Sequence, residues 1–256
     1  MKSDTIAAFD AYVTASEARM ETELRPGGNF LYVDSLPPNP RLAAYQQLRA
    51  GDVYIARLLT TVNGKTIPVP DGMIHHWVGL AFIPDTSMEQ VLKVAKDYRL
   101  RTVIYKPDVM AAREISHYGN DYKIFLRLYQ KKFTTVILNT EYDIRWGKVD
   151  QDRVYSNSYS TRIAEVRDPS NPNGPEYPVG EGRGYLWRLY TYWRFQAKDG
   201  GVYMQCEAIS LTRDIPTGLG WLLRPLVTSI PKHALDHVLR QTRQAVVGPA
   251  SQRQSS

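Results

Sequence analysis

The end of the chain constrains the fold more than any other part of it. Residues 184–196, GYLWRLYTYWRFQ, and 201–213, GVYMQCEAISLTR, alternate apolar and polar side chains on either side of Asp199-Gly200. An Asp-Gly pair accepts the positive φ that a tight hairpin needs, so the two segments pair as antiparallel strands. A stretch rich in Pro, Gly and large apolar residues follows, DIPTGLGWLLRPLVTSIP (214–231), and reads as a loop. The next residues, KHALDHVLRQTRQAV (232–246), place Leu235, Val238, Leu239 and Thr242 on one helical face. A sheet followed by one long amphipathic helix buries the helix by laying it across a sheet face. Any space left between the two is a pocket, so function becomes a question about that space.

The upstream chain supplies the rest of the sheet. MIHHWVGLAFIP (73–84), DYKIFLRLYQKKF (121–133), TTVILNTEYDIRWGKV (134–149) and RVYSNSYSTRIAEV (153–166) read as strands, with a further one near 110–118. DTSMEQVLKVAKDYRL (85–100) reads as a helix capped by Asp85, Thr86 or Ser87, with Met88, Val91, Leu92 and Ala95 at helical spacing. Earlier still come a helix over 4–24 stopped by Pro26-Gly27-Gly28, a short strand at 30–36, a helix at 40–51, and a strand at 52–62 before the turn Asn63-Gly64. Residues 168–183 form a Pro/Gly/Asn loop. This order predicts an α+β fold with one strongly curved antiparallel sheet.

Composition removes several function classes. The single cysteine, Cys206, excludes an intramolecular disulfide and a Cys-based zinc site. The net charge of +6 comes without a run of five Lys/Arg or a nucleic-acid motif, so it reads as surface charge with no nucleic-acid partner. No apolar stretch approaches the roughly 18 residues of a membrane-spanning helix. The start, MKSDTIAAFDAYV, lacks the apolar core of a signal peptide. The expected location is cytoplasmic as the sequence stands, or exported if a signal peptide was removed. No nucleophile elbow, phosphate loop, dinucleotide fingerprint or HExxH occurs, so no catalytic residue, metal or cofactor is assigned.

The segment FIPDTSMEQVLKVAKDYRLRTVIYKPDVMAARE (82–114) resembles the strand–helix opening of the START/polyketide-cyclase (SRPBCC, Bet v 1-like) superfamily. Pro84, the helix 86–96, Asp97-Tyr98 and Pro107-Asp108-Val109 carry the resemblance, and 203–231 resembles bacterial members. The match extends over residues 73–247. It implies a helix-grip fold, a curved antiparallel β-sheet wrapped on the long C-terminal α-helix, with 1–72 as an N-terminal α/β extension and 248–256 as a disordered tail. It also implies a cavity between sheet and helix for a lipid, sterol, polyketide or hormone. Some members are cyclases or hydrolases.

Strand alternation selects the face that would hold a ligand. Trp187, Leu189, Thr191, Trp193 and Phe195 share one face, while Arg188, Tyr190, Tyr192 and Arg194 share the wet one. The turn at 199–200 sets Trp193 opposite Cys206, Thr191 opposite Ala208, and Tyr192 opposite Glu207. Val136, Leu138, Tyr142, Ile144 and Trp146 form the apolar face of 134–146, and Tyr155, Tyr159 and Ile163 look the same way. The expected ligand wall is Tyr142, Trp146, Tyr159, Trp187, Leu189, Thr191 and Trp193 on the sheet, with Trp221, Leu222 and Leu226 above it. The segment carrying the last three is either a gate or a short helix packed on the sheet. His75, His76, Arg188 and Glu207 are the expected polar contacts.

Adjacent His75 and His76 point to opposite faces and do not chelate one metal. His233 and His237 fall on the polar side of the last helix. The leading function is binding or transfer of a lipid or other hydrophobic small molecule, with an open oligomeric state; transient membrane contact through Trp221 and Leu222, helped by Arg224, is a further, lesser reading of that segment. One alternative is a cyclase or hydrolase using His75, His76, or Glu207 with Arg188. Another is a structural interaction module whose pocket its own side chains fill.

Overall fold

The computed structural model of the chain describes residues 1–131, 134–214 and 220–248, with side chains described except at 220–229. The described helices are α1 (Ser3–Leu24), α2 (Pro38–Arg49), α3 (Met88–Lys96), α4 (Arg101–Ile104) and α5 (Gly220–Val247). The strands are β1 (Tyr54–Arg57), β2 (Thr61–Val62), β3 (Lys65–Thr66), β4 (Gly72–Pro84), β5 (Val109–Tyr118), β6 (Asp121–Lys131), β7 (Thr135–Lys148), β8 (Arg153–Glu165), β9 (Arg188–Lys198) and β10 (Gly201–Arg213). No described helix is long and apolar enough to cross a membrane.

Eight strands form one antiparallel sheet in the order β1-β4-β10-β9-β8-β7-β6-β5, while β2 and β3 make a small separate hairpin. From β5 to β10 every strand pairs with the next in sequence. β4 then closes onto β10, so the connection from β4 to β5 must span the sheet, and it carries α3 and α4. This is the helix-grip architecture that the resemblance implies. The Asp199-Gly200 turn has both residues at positive φ, 55° and 75°, and sets the expected pairs Trp193–Cys206, Thr191–Ala208 and Tyr192–Glu207.

Both faces of the sheet are covered. On the gripping face, Leu235 and Leu239 of α5 share a core with Val91 and Ala95 of α3 and with Ala81, Ile83, Trp146, Phe195, Met204 and Cys206. Close approach here depends on Gly79. A Cβ at that position would stand 2.6 Å from Leu239 Cδ1 and 3.0 Å from Leu235 Cγ. On the opposite face, α1 covers Tyr192, Ile209 and Leu211 with Phe9, Tyr12, Val13 and Met20, and α2 closes a further core against Val78, Leu80, Phe82 and Tyr203. Residues 1–72 thus cover the sheet through α1 and α2 and extend it through β1.

Several boundaries differ from expectation. Residues 30–36 contain one 3-10 turn, Tyr32–Ser35, rather than a strand. Asp34 explains it, because its carboxylate accepts the Leu31 N–H at 3.4 Å and the Tyr45 hydroxyl at 2.5 Å. The helix expected over 85–100 stops at Lys96, where the Asp97 side chain takes the Arg99 N–H at 3.1 Å. The segment 214–231 is not a loop throughout, since α5 begins at Gly220 and runs on through Pro231. Its Leu-rich stretch is a good helix former, and its two internal prolines, Pro225 and Pro231, each remove only one backbone hydrogen bond.

Leu239→Ala should cost about 2–5 kcal/mol in urea unfolding, the range for a fully buried leucine. Gly79→Ala should cost about 1–3 kcal/mol by overpacking. Because the two positions touch, the double variant should lose less than the sum of the single ones. Additive losses would show that α5 does not rest on Gly79.

Candidate functional site

The gripping face can be followed row by row across the sheet. In one row, Trp146, Ser156, Trp193, Cys206 and Gly79 are successive cross-strand partners. Here the space is filled: Trp193 stacks on Phe195, Trp146 stacks on Phe195 from its own side, and the Trp146 indole N–H donates to Tyr98 Oη at 2.9 Å. The next row is Ile144, Ser158, Thr191, Ala208 and Trp77. Beyond it, Tyr142 pairs with Ser160 and Ser210 pairs with both Leu189 and His75. At the centre of these rows Ser158, Thr191 and Ala208 are small and do not fill the depth that Trp146 and Trp193 fill one row away.

Exposure agrees with that geometry. β9 lies in the interior of the sheet, yet its gripping-face residues Leu189, Thr191 and Trp193 are only half-buried, as are Ala208 and Trp77 beside them. Water therefore reaches the middle of the sheet between it and the covering helices. The hydroxyls of Ser158, Thr191 and Ser210 make no hydrogen bond among the described residues. The Tyr142 hydroxyl is buried beside the Thr140 hydroxyl and makes no well-formed hydrogen bond. Its neighbour Thr140 gives its proton to the Leu126 carbonyl at 2.9 Å. Burial pushes the Tyr142 phenol up to about 12. His75 closes one end of the groove, its Nε2–H donating to Thr212 Oγ1 at 3.1 Å while Thr212 donates to the Arg213 carbonyl at 3.3 Å. Burial, and then the positive charge of Arg57, lower the His75 imidazole to about 4, so it is neutral at pH 7.

Five of the expected wall residues come together here: Tyr142, Trp146, Leu189, Thr191 and Trp193. Two do not. Tyr159 belongs to the α1 face, where its hydroxyl donates to Glu17 at 2.8 Å. The cause is a bulge in β8: Glu141 pairs with Arg162 and Tyr142 with Ser160, which leaves Thr161 unpaired. An extra residue reverses the alternation, so Ile163 faces the groove side while Tyr155 and Tyr159 face away. Trp187 precedes β9 and joins the cluster under α1. Trp221, Leu222 and Leu226 lie in α5, but their side chains fall outside the described residues.

The polar contacts expected at the ligand divide between the faces. His75 is on the gripping face, whereas His76 and Glu207 sit under α1. The face expected to be wet is covered there and carries buried charge. The Thr60 N–H donates to Tyr12 Oη at 2.9 Å, Tyr12 donates to His76 Nδ1 at 2.9 Å, and His76 Nε2–H donates to Glu207 Oε1 at 2.6 Å. Arg19 also donates to Glu207. Arg19 and Arg194 both pair with Glu23, at 2.6 and 2.7 Å. Burial raises the Glu207 carboxyl, but the hydrogen bond from His76 and the nearby charges of Arg19 and Arg194 outweigh it and hold the group below its ordinary range. Arg188 is not part of this set and donates to the Trp187 carbonyl at 3.0 Å. Sequence alternation finds Glu207 and Arg194, but nothing in it ties them to Tyr12, Arg19 and Glu23.

Tyr12, His76 and Glu207 form a hydroxyl–imidazole–carboxylate chain, yet all three are buried against α1. Its chemistry is that of a clamp for the helix. Among the described residues, no three His, Cys, Asp or Glu side chains are grouped to hold a metal.

Glu207→Gln should destabilise the fold by about 3–5 kcal/mol, since it strips one partner from a buried ion pair. It should leave binding in the groove on the other face unchanged. His75 gives a pH signature. Its pKa in the folded chain lies below the ordinary 6.5, so the unfolded chain binds the extra proton, and stability is lost as pH falls from about 6.5 towards 4. The loss should approach about 3 kcal/mol at about 1.4 kcal/mol per unit. Urea unfolding of His75→Gln at pH 7.5 and 4.5 should show a correspondingly smaller difference than the parent chain.

Comparison with solved structures finds similar chain paths. A STAR-related lipid transfer protein fragment from Xanthomonas axonopodis aligns with a TM-score of 0.49 and 17% identity, over 75% of this chain and 94% of that one. Human STARD10 aligns with a TM-score of 0.48 and 11% identity, over 86% of this chain and 84% of that one. The Zhui aromatase/cyclase from Streptomyces sp. R1128 aligns with a TM-score of 0.45 and 8% identity, over 70% of this chain and 96% of that one. No protein-family model matches the chain, and no curated protein matches it. At such identities neither a ligand nor a reaction carries over from these proteins, and the function has to be argued from the groove.

Proposed function

We propose that the chain binds an apolar small molecule or lipid, without chemical change, in the groove between the sheet and α5. The observation that carries this reading is the half-burial of Leu189, Thr191 and Trp193 on an interior strand of a sheet covered on both faces. Apolar side chains left open to water inside a fold gain from covering, at about 25 cal/mol per Å² of apolar surface removed from water. The rest of the groove suits a ligand of that kind. Ile144, Trp77 and Ala208 offer apolar walls, and a few hydroxyls stand among them, the pattern of a small-molecule site.

Catalysis has less support. General acid–base work needs a titratable group poised near the working pH and within reach of the reacting atom. His75 faces the groove but is held neutral far below pH 7, and His76 with Glu207 faces the other way.

The neutral apolar fluorophore N-phenyl-1-naphthylamine should bind the purified protein with a saturable rise in emission. Thr191→Trp, which fills the middle of the groove, should weaken that binding about 10-fold or more, while Tyr155→Phe on the opposite face should leave it unchanged. Native mass spectrometry after incubation with a lipid extract should show an added mass that Thr191→Trp loses. No probe binding by the parent chain, or equal binding by Thr191→Trp, would sink the reading.

A further inference from the structure

We infer that the groove selects a ligand with a single uncharged polar group, such as an alcohol or ketone, seated against Tyr142 and Ser160, and discriminates against carboxylate, phosphate and ammonium ends. The inference rests on the groove being the binding site and specifies what it holds.

The argument starts from charge. Across β4, β10, β9, β8 and β7 the gripping-face side chains are hydrocarbon, indole, hydroxyl, sulfur or imidazole, with two exceptions at strand ends, Glu165 and the exposed Lys148 beyond Trp146. Glu165 lies past Ile163 at the end of β8, and Arg183 closes it with its backbone N–H at 2.9 Å and its guanidinium at 2.7 Å. The titratable groups that remain are neutral at pH 7. The imidazole of His75 is depressed, and burial raises both the Tyr142 phenol and the Cys206 thiol. A charged ligand end in this part of the groove would leave water and meet no counter-charge from the sheet, which is costly.

A purely hydrocarbon ligand also leaves something undone. The Tyr142 hydroxyl is enclosed and makes no well-formed hydrogen bond, the proton of the neighbouring Thr140 hydroxyl being spent on the Leu126 carbonyl, and an enclosed polar group so poorly satisfied is destabilising. Next to it on β8, Ser160 accepts the Leu189 N–H at 3.0 Å, which leaves its own proton to give. The pair therefore presents two O–H donors at one point of a wall whose other polar groups there are the hydroxyls of Ser158, Thr191 and Ser210 and the imidazole of His75. One ligand oxygen could accept both, and a hydroxyl could also donate back to Tyr142. Farther across the sheet, Ser210 stands beside His75 with its hydroxyl free among the described residues. The polar features are thus hydroxyls and one neutral imidazole, the opposite of a headgroup site built from Arg or Lys.

A matched series tests this: 1-methylnaphthalene, 1-naphthalenemethanol, 1-naphthoate and 1-naphthalenemethylammonium, each competed against N-phenyl-1-naphthylamine at pH 7.5. The alcohol should bind about 3–10-fold tighter than the hydrocarbon, the gain expected of one net hydrogen bond. The carboxylate and the ammonium should each bind at least about 10-fold weaker than the alcohol. Tyr142→Phe should remove the alcohol's advantage and leave the hydrocarbon's affinity unchanged. Ser160→Ala should reduce that advantage without altering the fold. A carboxylate or ammonium that binds as tightly as the alcohol would overturn the inference while leaving the groove as the site. So would an alcohol advantage that survives Tyr142→Phe. Failure of the hydrocarbon and the alcohol alike would overturn the groove reading and the inference with it.

Discussion

The contact between α5 and the sheet at Gly79 governs what the other parts can do. With no side chain at that position, Leu235 and Leu239 come down onto the strand backbone, and the helix is fixed at one end of the groove. Trp146, Phe195, Trp193 and Tyr98 then build a solid core around that point. In the next row the middle strands carry Ser158, Thr191 and Ala208 in place of Ser156, Trp193 and Cys206. The half-burial of Leu189, Thr191 and Ala208 goes with that change in side-chain size.

The second constraint is on the other face. A sheet that leaves part of one face open to water loses burial there, and α1 and α2 restore it by covering the back. The cover is not purely apolar. Glu207, His76, Tyr12, Arg19, Glu23 and Arg194 form a set in which the charges are paired, with Glu207 Oε2 and Arg194 Nη2 lacking a well-formed hydrogen bond. Buried charge of this sort adds less to stability than its bond count suggests, but it allows one placement of α1 and penalises others. The two faces thus divide the work: fixed charge behind the sheet, neutral hydroxyls in front of it. That division accounts for a groove without charge in a chain with a net charge of +6.

Most of the architecture was legible in the residues. The Asp199-Gly200 turn and the alternation on both sides of it determined the register of β9 and β10 to the residue. The spacing of Leu235, Leu239 and Thr242 determined which side of α5 is buried, and the chain order of strands and helices determined the helix-grip plan. These are local properties: a period of two, a period near 3.6, and a turn that few residue pairs can make. Alternation by itself also placed Tyr142, Trp146, Leu189, Thr191 and Trp193 on one face.

Tertiary structure decided the rest, for reasons that no local period contains. The bulge at Thr161 moved Tyr159 to the far face, because one unpaired residue reverses the alternation that the sequence pattern assumes. Arg194 and Glu207 looked solvated because polar residues on one side of a strand usually are, yet they are buried once α1 arrives from more than a hundred residues away in the chain. Whether the gripping face is filled or hollow was likewise undecided by sequence, since an aromatic and hydroxyl face serves equally as core or as ligand wall. That outcome depends on where α5 is pinned, and the pin is Gly79, a residue whose role appears only when the helix is resting on it.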